Sequence, residues 1–181
     1  LILNLRPLLV RALIADGRTE EAAALATATV AEAESALASR PRLANMLPWL
    51  RGVACDALSR HDPDAALATC AELFEGRGDA PPTRIVATAL LGAGQALAAR
   101  GDLAGAVGML RRAEAACLAL DGDDLRSPDL QAIRESLART LLDAGEASAA
   151  RALLDPLAAH RSRFYGTAHP DSQRVLLDLA A

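Results

Sequence analysis

The chain has 181 residues, 52% hydrophobic and 23% charged, with a net charge of -4, which excludes a disordered polymer and leaves no basic surplus for counterion-driven nucleic-acid binding. Aromatics are only 2%, so few rings are available to stack on bases, and the core has to be built from Leu, Ala and Val. All 19 basic residues are Arg, which removes a Schiff-base lysine, a phosphate-loop lysine and a kinase-type nucleotide-anchoring lysine from this segment.

A turn signal returns at Gly17, His61, Gly101 and Gly145, at intervals of 44, 40 and 44 residues. A period near forty marks a repeat array. Five positions after each signal stands a small residue, Ala22, Ala66, Ala106 or Ala150, and four further on Cys70, Leu110 and Leu154 keep one face of a second helix apolar. Prolines at 41, 82, 128 and 170 punctuate the unit boundaries.

Unit one, residues 1–38, is expected to hold a helix starting near Pro7 and ending at Gly17, then a second over 19–37 capped by Thr19. Unit two, 39–80, pairs a helix over 43–59 with one opened by Asp62 as cap and Pro63 in the first turn. Unit three, 81–126, has the clearest pattern: a helix over 83–100 stopped by Gly101, and a second capped by Asp102 that repeats Leu103, Ala106, Leu110 and Ala113 at helical spacing. Unit four, 127–168, opens on Ser127 and Pro128, turns at Gly145 and closes near Gly166. A partial fifth unit, 169–181, starts at His169 and Pro170. Pro48 and Pro156 fall inside expected helices and should kink them or shift their starts.

These signals together predict an all-α fold, a right-handed superhelical solenoid of antiparallel helix hairpins with about four units plus one extra helix. A start at Leu1 and an end inside an apolar segment read as a piece of a longer protein. The Arg bias, with abundant Ala, Gly and Leu, fits a GC-rich bacterial source. No apolar run is long enough to span a bilayer and no leader pattern opens the chain, so a cytoplasmic setting without membrane insertion is expected.

The unit-three positions Leu90, Gly94, Leu97, Gly101, Leu103, Ala106, Leu110 and Ala113 resemble the tetratricopeptide repeat (TPR). The segment 165–171, followed by Leu176, Leu177, Leu179 and Ala180, looks like the longer repeat of kinesin light chain and its bacterial relatives. Where that family carries peptide-contacting asparagines, this chain has Leu177 and Asp178. The resemblance implies a non-catalytic scaffold whose first helices line a concave face that binds a peptide or protein segment. It is also compatible with a regulatory array trailing a bacterial serine/threonine kinase or lying within a transcriptional regulator.

Projecting the unit-three register onto the other units gives the candidate concave residues Arg11, Arg51, Thr88, Gln95, Glu135, Arg139 and Asp143. Acidic groups of a partner would meet Arg11 and Arg51, because a guanidinium grips a carboxylate bidentately. An enzyme using Glu135 and Asp143 is disfavoured, since eight residues on one helix separate them by about 12 Å. No cofactor, metal or nucleic-acid partner is expected. The final apolar helix, with Leu176, Leu177 and Leu179, offers a surface for a homo-oligomer.

Isolated residues read mostly as structural. Cys55, Cys70 and Cys117 lack paired metal spacing and read as buried reduced thiols. Arg77, Gly78 and Asp79, and the acids around Gly122, supply loop chemistry. Gly92 and Gly94 permit close helix packing, Trp49 fills the space between units one and two, and the three histidines serve turns and caps. Phe164 and Tyr165 are expected to pack unit four onto the fifth helix.

Overall fold

The computed structural model describes residues 2–74 and 83–180. Among these the chain is all α-helical apart from turns: α1 (Ile2–Ala15), α2 (Thr19–Ser35), α3 (Leu47–Leu58), α4 (Pro63–Phe74), α5 (Arg84–Ala99), α6 (Leu103–Asp121), α7 (Pro128–Asp143), α8 (Ala147–Tyr165) and α9 (Pro170–Ala180). Successive helices pack antiparallel, and the first helices α1, α3, α5 and α7 also pack on one another, forming the inner layer of a solenoid. The triplet 77–79 and the expected boundary at 80–82 lie outside the described residues.

Burial explains the repeat. Ala22, Ala66, Ala106 and Ala150 are each 0% exposed, small side chains enclosed where the second helix packs on the first. Leu110 and Leu154, and Cys70 beside them, extend the same buried stripe. The apolar clusters join neighbouring units: Val10 and Leu13 pack with Val53 and Ala54, and Leu110 with Leu130, Ile133 and Leu157. A hairpin alone leaves one side of this stripe wet, so the units stabilise one another by stacking.

Helix starts follow cap chemistry where the side chain can reach. Asp62 accepts from Ala65 N at 3.0 Å, Asp102 from Gly105 N at 2.9 Å, and Thr83 from Val86 N at 3.2 Å. Ser127 holds Leu130 N ahead of Pro128. Thr19 departs from expectation. It is the first helical residue, and the cap position is Arg18, whose side chain pairs with Glu21 instead.

Proline positions bring three further findings. α1 starts at Ile2 and runs through Pro7, which is buried, rather than beginning there. Pro48 shifts a start as expected: residues Pro41–Asn45 form a 3-10 turn, and α3 begins at Leu47 with Pro48 in its first turn, where a missing N–H is no loss. Pro156 lies exposed within α8, and the helix continues on both sides of it.

The cysteine reading is corrected in part. Cys55 of α3 and Cys70 of α4 are joined as a disulfide with their Cα atoms 5.8 Å apart, and both sulfurs sit against the carbonyl of Ala89. Cys117 is the free, buried thiol, and burial pushes its pKa up. Phe164 and Tyr165 do not pack onto α9. They stay 59% and 51% exposed, each stacked on a histidine, His160 and His169 respectively. The acids of the 121–124 loop are taken up by Arg84, Arg134 and Arg126.

The four inner turns are not equivalent, and the difference sets the register of the groove. At Gly17, Gly101 and Gly145 the glycine has a left-handed φ of 77°, 83° and 79°. The N–H after each bonds five residues back, to Leu13, Leu97 and Leu141, the geometry of a Schellman stop. His61 carries a Cβ and stays out of the left-handed region, so Asp62 N bonds only four residues back, to Leu58. Unit two is therefore one residue tighter. Leu58, three before its turn residue, takes the place of Leu97, four before its own.

Candidate functional site

Counting two residues back from each of those leucines gives the structurally matched set Arg11, Asp56, Gln95 and Arg139. All four line one cavity of about 370 Å³ on the inner side of the first helices. Ile14 and Ala15 of α1, Ala57 of α3, Leu91 of α5, and Ala132 with Ser136 of α7 complete much of its wall. A second, smaller cavity of about 70 Å³ adjoins it and is lined by Trp49, Thr88 and Arg84 as well as Arg11 and Asp56.

Of the residues singled out from the sequence, Arg11, Gln95, Glu135 and Arg139 meet in the larger cavity, and Thr88 lines the smaller one. Arg51 does not line either. Its guanidinium reaches Glu34 of α2 at 2.8 Å and Glu72 of α4 at 3.3 Å, so it ties first helix to second helices. The one-residue shift in unit two accounts for this. Arg51 matches Arg6 and Arg134, which likewise bind acids of second helices, Glu32 and Glu114. Asp143 ends α7 in an exposed position outside the cavity lining.

Asp56 and Arg60 escape the sequence projection for the same reason. The signal is present in the chain, since Leu58 stands three rather than four residues before its turn residue.

The polar network crosses the groove in steps. Ser59 donates to Gln95 Oε1 at 2.9 Å, and Gln95 Nε2 donates to Ser136 at 2.9 Å, linking α3, α5 and α7. Arg11 of α1 reaches Asp129 of α7 at 2.8 Å, and Arg84 of α5 holds the same carboxylate at 2.7 Å. This pair joins residues 118 apart and requires the inner layer to curve. At the other end Glu135 is nearly buried and carries three guanidiniums: Arg174 at 2.8 Å, Arg161 at 2.9 Å and Arg139 at 3.0 Å. Arg161 also donates to Gln131 and to the carbonyl of Asp171, bolting α9 to the array.

Asp56 stands apart. Its carboxyl accepts no side-chain hydrogen bond and forms no ion pair among the described residues. Burial pushes its pKa up to about 6, against the opposing pull of Arg11 and Arg60. The folded chain thus holds this proton more tightly than the unfolded chain, where aspartate titrates near ~3.9. Stability from this group is therefore greatest at low pH and is lost as pH rises through about 6. In thermal melts, Asp56→Asn should gain on the parent chain between about pH 4 and pH 6, then hold a constant advantage above pH 7. A difference that ignores pH would contradict this reading of the cavity.

No protein-family model matches the chain, and nothing among the curated proteins does. Solved structures do match. Two crystal structures of a Podosopora anserina protein described as a putative kinesin light chain with nearly identical TPR-like repeats, one of them carrying a single substitution, superpose with a TM-score of 0.66. The match covers 98% of this chain and 83% of theirs at 19% identity. The chain has a TPR-like helical-repeat fold. The TPR-like array places its groove on the first helices, and among the described residues no helix is long and apolar enough to cross a membrane.

Proposed function

We propose that this TPR-like array is a non-catalytic scaffold that holds an extended segment of a partner protein in the groove formed by α1, α3, α5, α7 and α9. One observation carries the reading: the 370 Å³ cavity draws its walls from all five first helices and mixes polar with apolar side chains, as sites that orient a ligand by a few placed groups do. The carboxylate pair suggested by the sequence, Glu135 and Asp143, does not support hydrolysis. The Glu135 oxygens are already occupied by arginines, and Asp143 lies outside the cavity, so these two do not converge on one point.

A random-peptide display library selected on the whole chain tests this reading. A photocrosslinking residue at Ala132, in the cavity wall, should capture the selected peptides, and the same group at the exposed Arg112 of α6 should not. Capture from position 112 alone, or no selected peptide at all, would remove the groove from consideration.

A further inference from the structure

Charge compensation within the groove leaves two groups over. Around the smaller cavity, Arg11 and Arg84 are matched by Asp121 and Asp129. Near α9, Arg139, Arg161 and Arg174 are matched by Glu135, Asp171 and Asp178. Asp56 and Arg60 line the same cavity one helical turn apart and do not pair with each other or with any other described residue.

Resting on the groove reading, we propose that Asp56 and Arg60 form a two-point selector for the bound segment: Asp56 receives a basic side chain of the partner and Arg60 an acidic one close to it in sequence. Asp56 would gain a direct partner in a half-buried position, where a charge-assisted hydrogen bond outweighs a solvated one, and Arg60 a counter-ion at the exposed rim beside it. The other ionic groups offer no such gain, since a ligand would first have to displace an internal partner.

Asp56 is faced by Arg11 from α1, Arg84 from α5 and Asp129 from α7, with Arg60 on its own segment. The Asp129 carboxylate holds the first two, which leaves Asp56 as the acceptor open to a donor from outside. Burial without a partner is also what raises its pKa to about 6. A cationic ligand needs the carboxylate ionised. Its affinity should therefore fall about tenfold per pH unit below that value.

The selection described above separates the possibilities when run at pH 7.5 on the parent chain, on Asp56→Asn and on Arg60→Gln. The parent pool should be enriched in a basic residue with an acidic residue within about one helical turn's span of chain. Asp56→Asn should erase the basic preference and leave the acidic one, and Arg60→Gln the converse. The best parent peptide, titrated by the fluorescence of Trp49 in the adjoining cavity, should weaken as pH falls from 6 to 5.

A pool of one charge sign, or preferences that neither variant alters, would overturn the selector while leaving groove binding in place. Absence of any enrichment would overturn both. Arg60 is exposed, so its variant keeps the test open even if Asp56→Asn fails to fold.

Discussion

Glu135→Ala should lower stability by about 3–5 kcal/mol, the range seen when one member of a buried ion pair is deleted. The side chain of Arg161 is 6% exposed and that of Glu135 8%. Removing the carboxylate leaves Arg161 with only Gln131 and a main-chain carbonyl for a full positive charge. Arg139 and Arg174, 35% and 51% exposed, can rehydrate; Arg161 cannot. The loss should appear in urea unfolding as a lower midpoint, and it should resist added salt, because buried pairs are weakly screened. Replacing Glu135 and Arg161 together by leucine should recover much of the loss, since no buried charge is then left without a partner. A Glu135→Ala chain as stable as the parent would show that the α7–α8–α9 bolt is not formed.

The second large effect is expected at Gly92, where α5 crosses α3. A Cβ added there would lie 2.7 Å from Asp56 N and 2.8 Å from Cys55 C. Both are main-chain atoms, and neither can rotate away. Gly92→Ala should therefore destabilise by roughly 1–3 kcal/mol through overpacking, despite the roughly 1 kcal/mol by which alanine favours a helix over glycine. Gly108 on α6 meets nothing within 4 Å, so Gly108→Ala is the internal control and should stabilise by about 0.5–1 kcal/mol. Opposite signs at the two positions in chemical denaturation would support the close crossing. The same sign at both would contradict it.

Much of the fold is legible in the sequence because it rests on local chemistry. Gly101 and Gly145 stop helices by reaching a backbone region closed to other residues, Asp62 and Asp102 cap the next helices, and the alanines five residues on are fully buried. Pro7 misleads because its cost inside the helix, one lost hydrogen bond and a ring crowding the carbonyl four residues back, is offset by burial in the unit-one core. Thr19 misleads because a good capping residue is only a propensity, and here the first helical position takes it.

The groove is half legible. Arg11, Gln95, Glu135 and Arg139 follow from the shared register. Arg51 is misplaced by that register, and Asp56 with Arg60 is passed over, because a histidine in the turn position shortens the stop by one residue and shifts every residue of α3 by one place against a register counted from the turn. Spacing alone also does not show which carboxylates are already compensated. Glu135 is held by arginines from α7, α8 and α9, and that grouping is purely tertiary.

Curvature of the inner layer is what brings α1 and α7 to opposite sides of one cavity, and the Arg11–Asp129 contact is its most demanding consequence. Arg11→Cys with Asp129→Cys, in a chain whose buried Cys117 is replaced by alanine, can be treated with a short bismaleimide and separated by gel electrophoresis. The expected result is an intramolecular crosslink in the monomer, lost when either engineered cysteine is omitted. Crosslinking only between separate chains would mean that units one and four do not face each other and that the groove is not assembled.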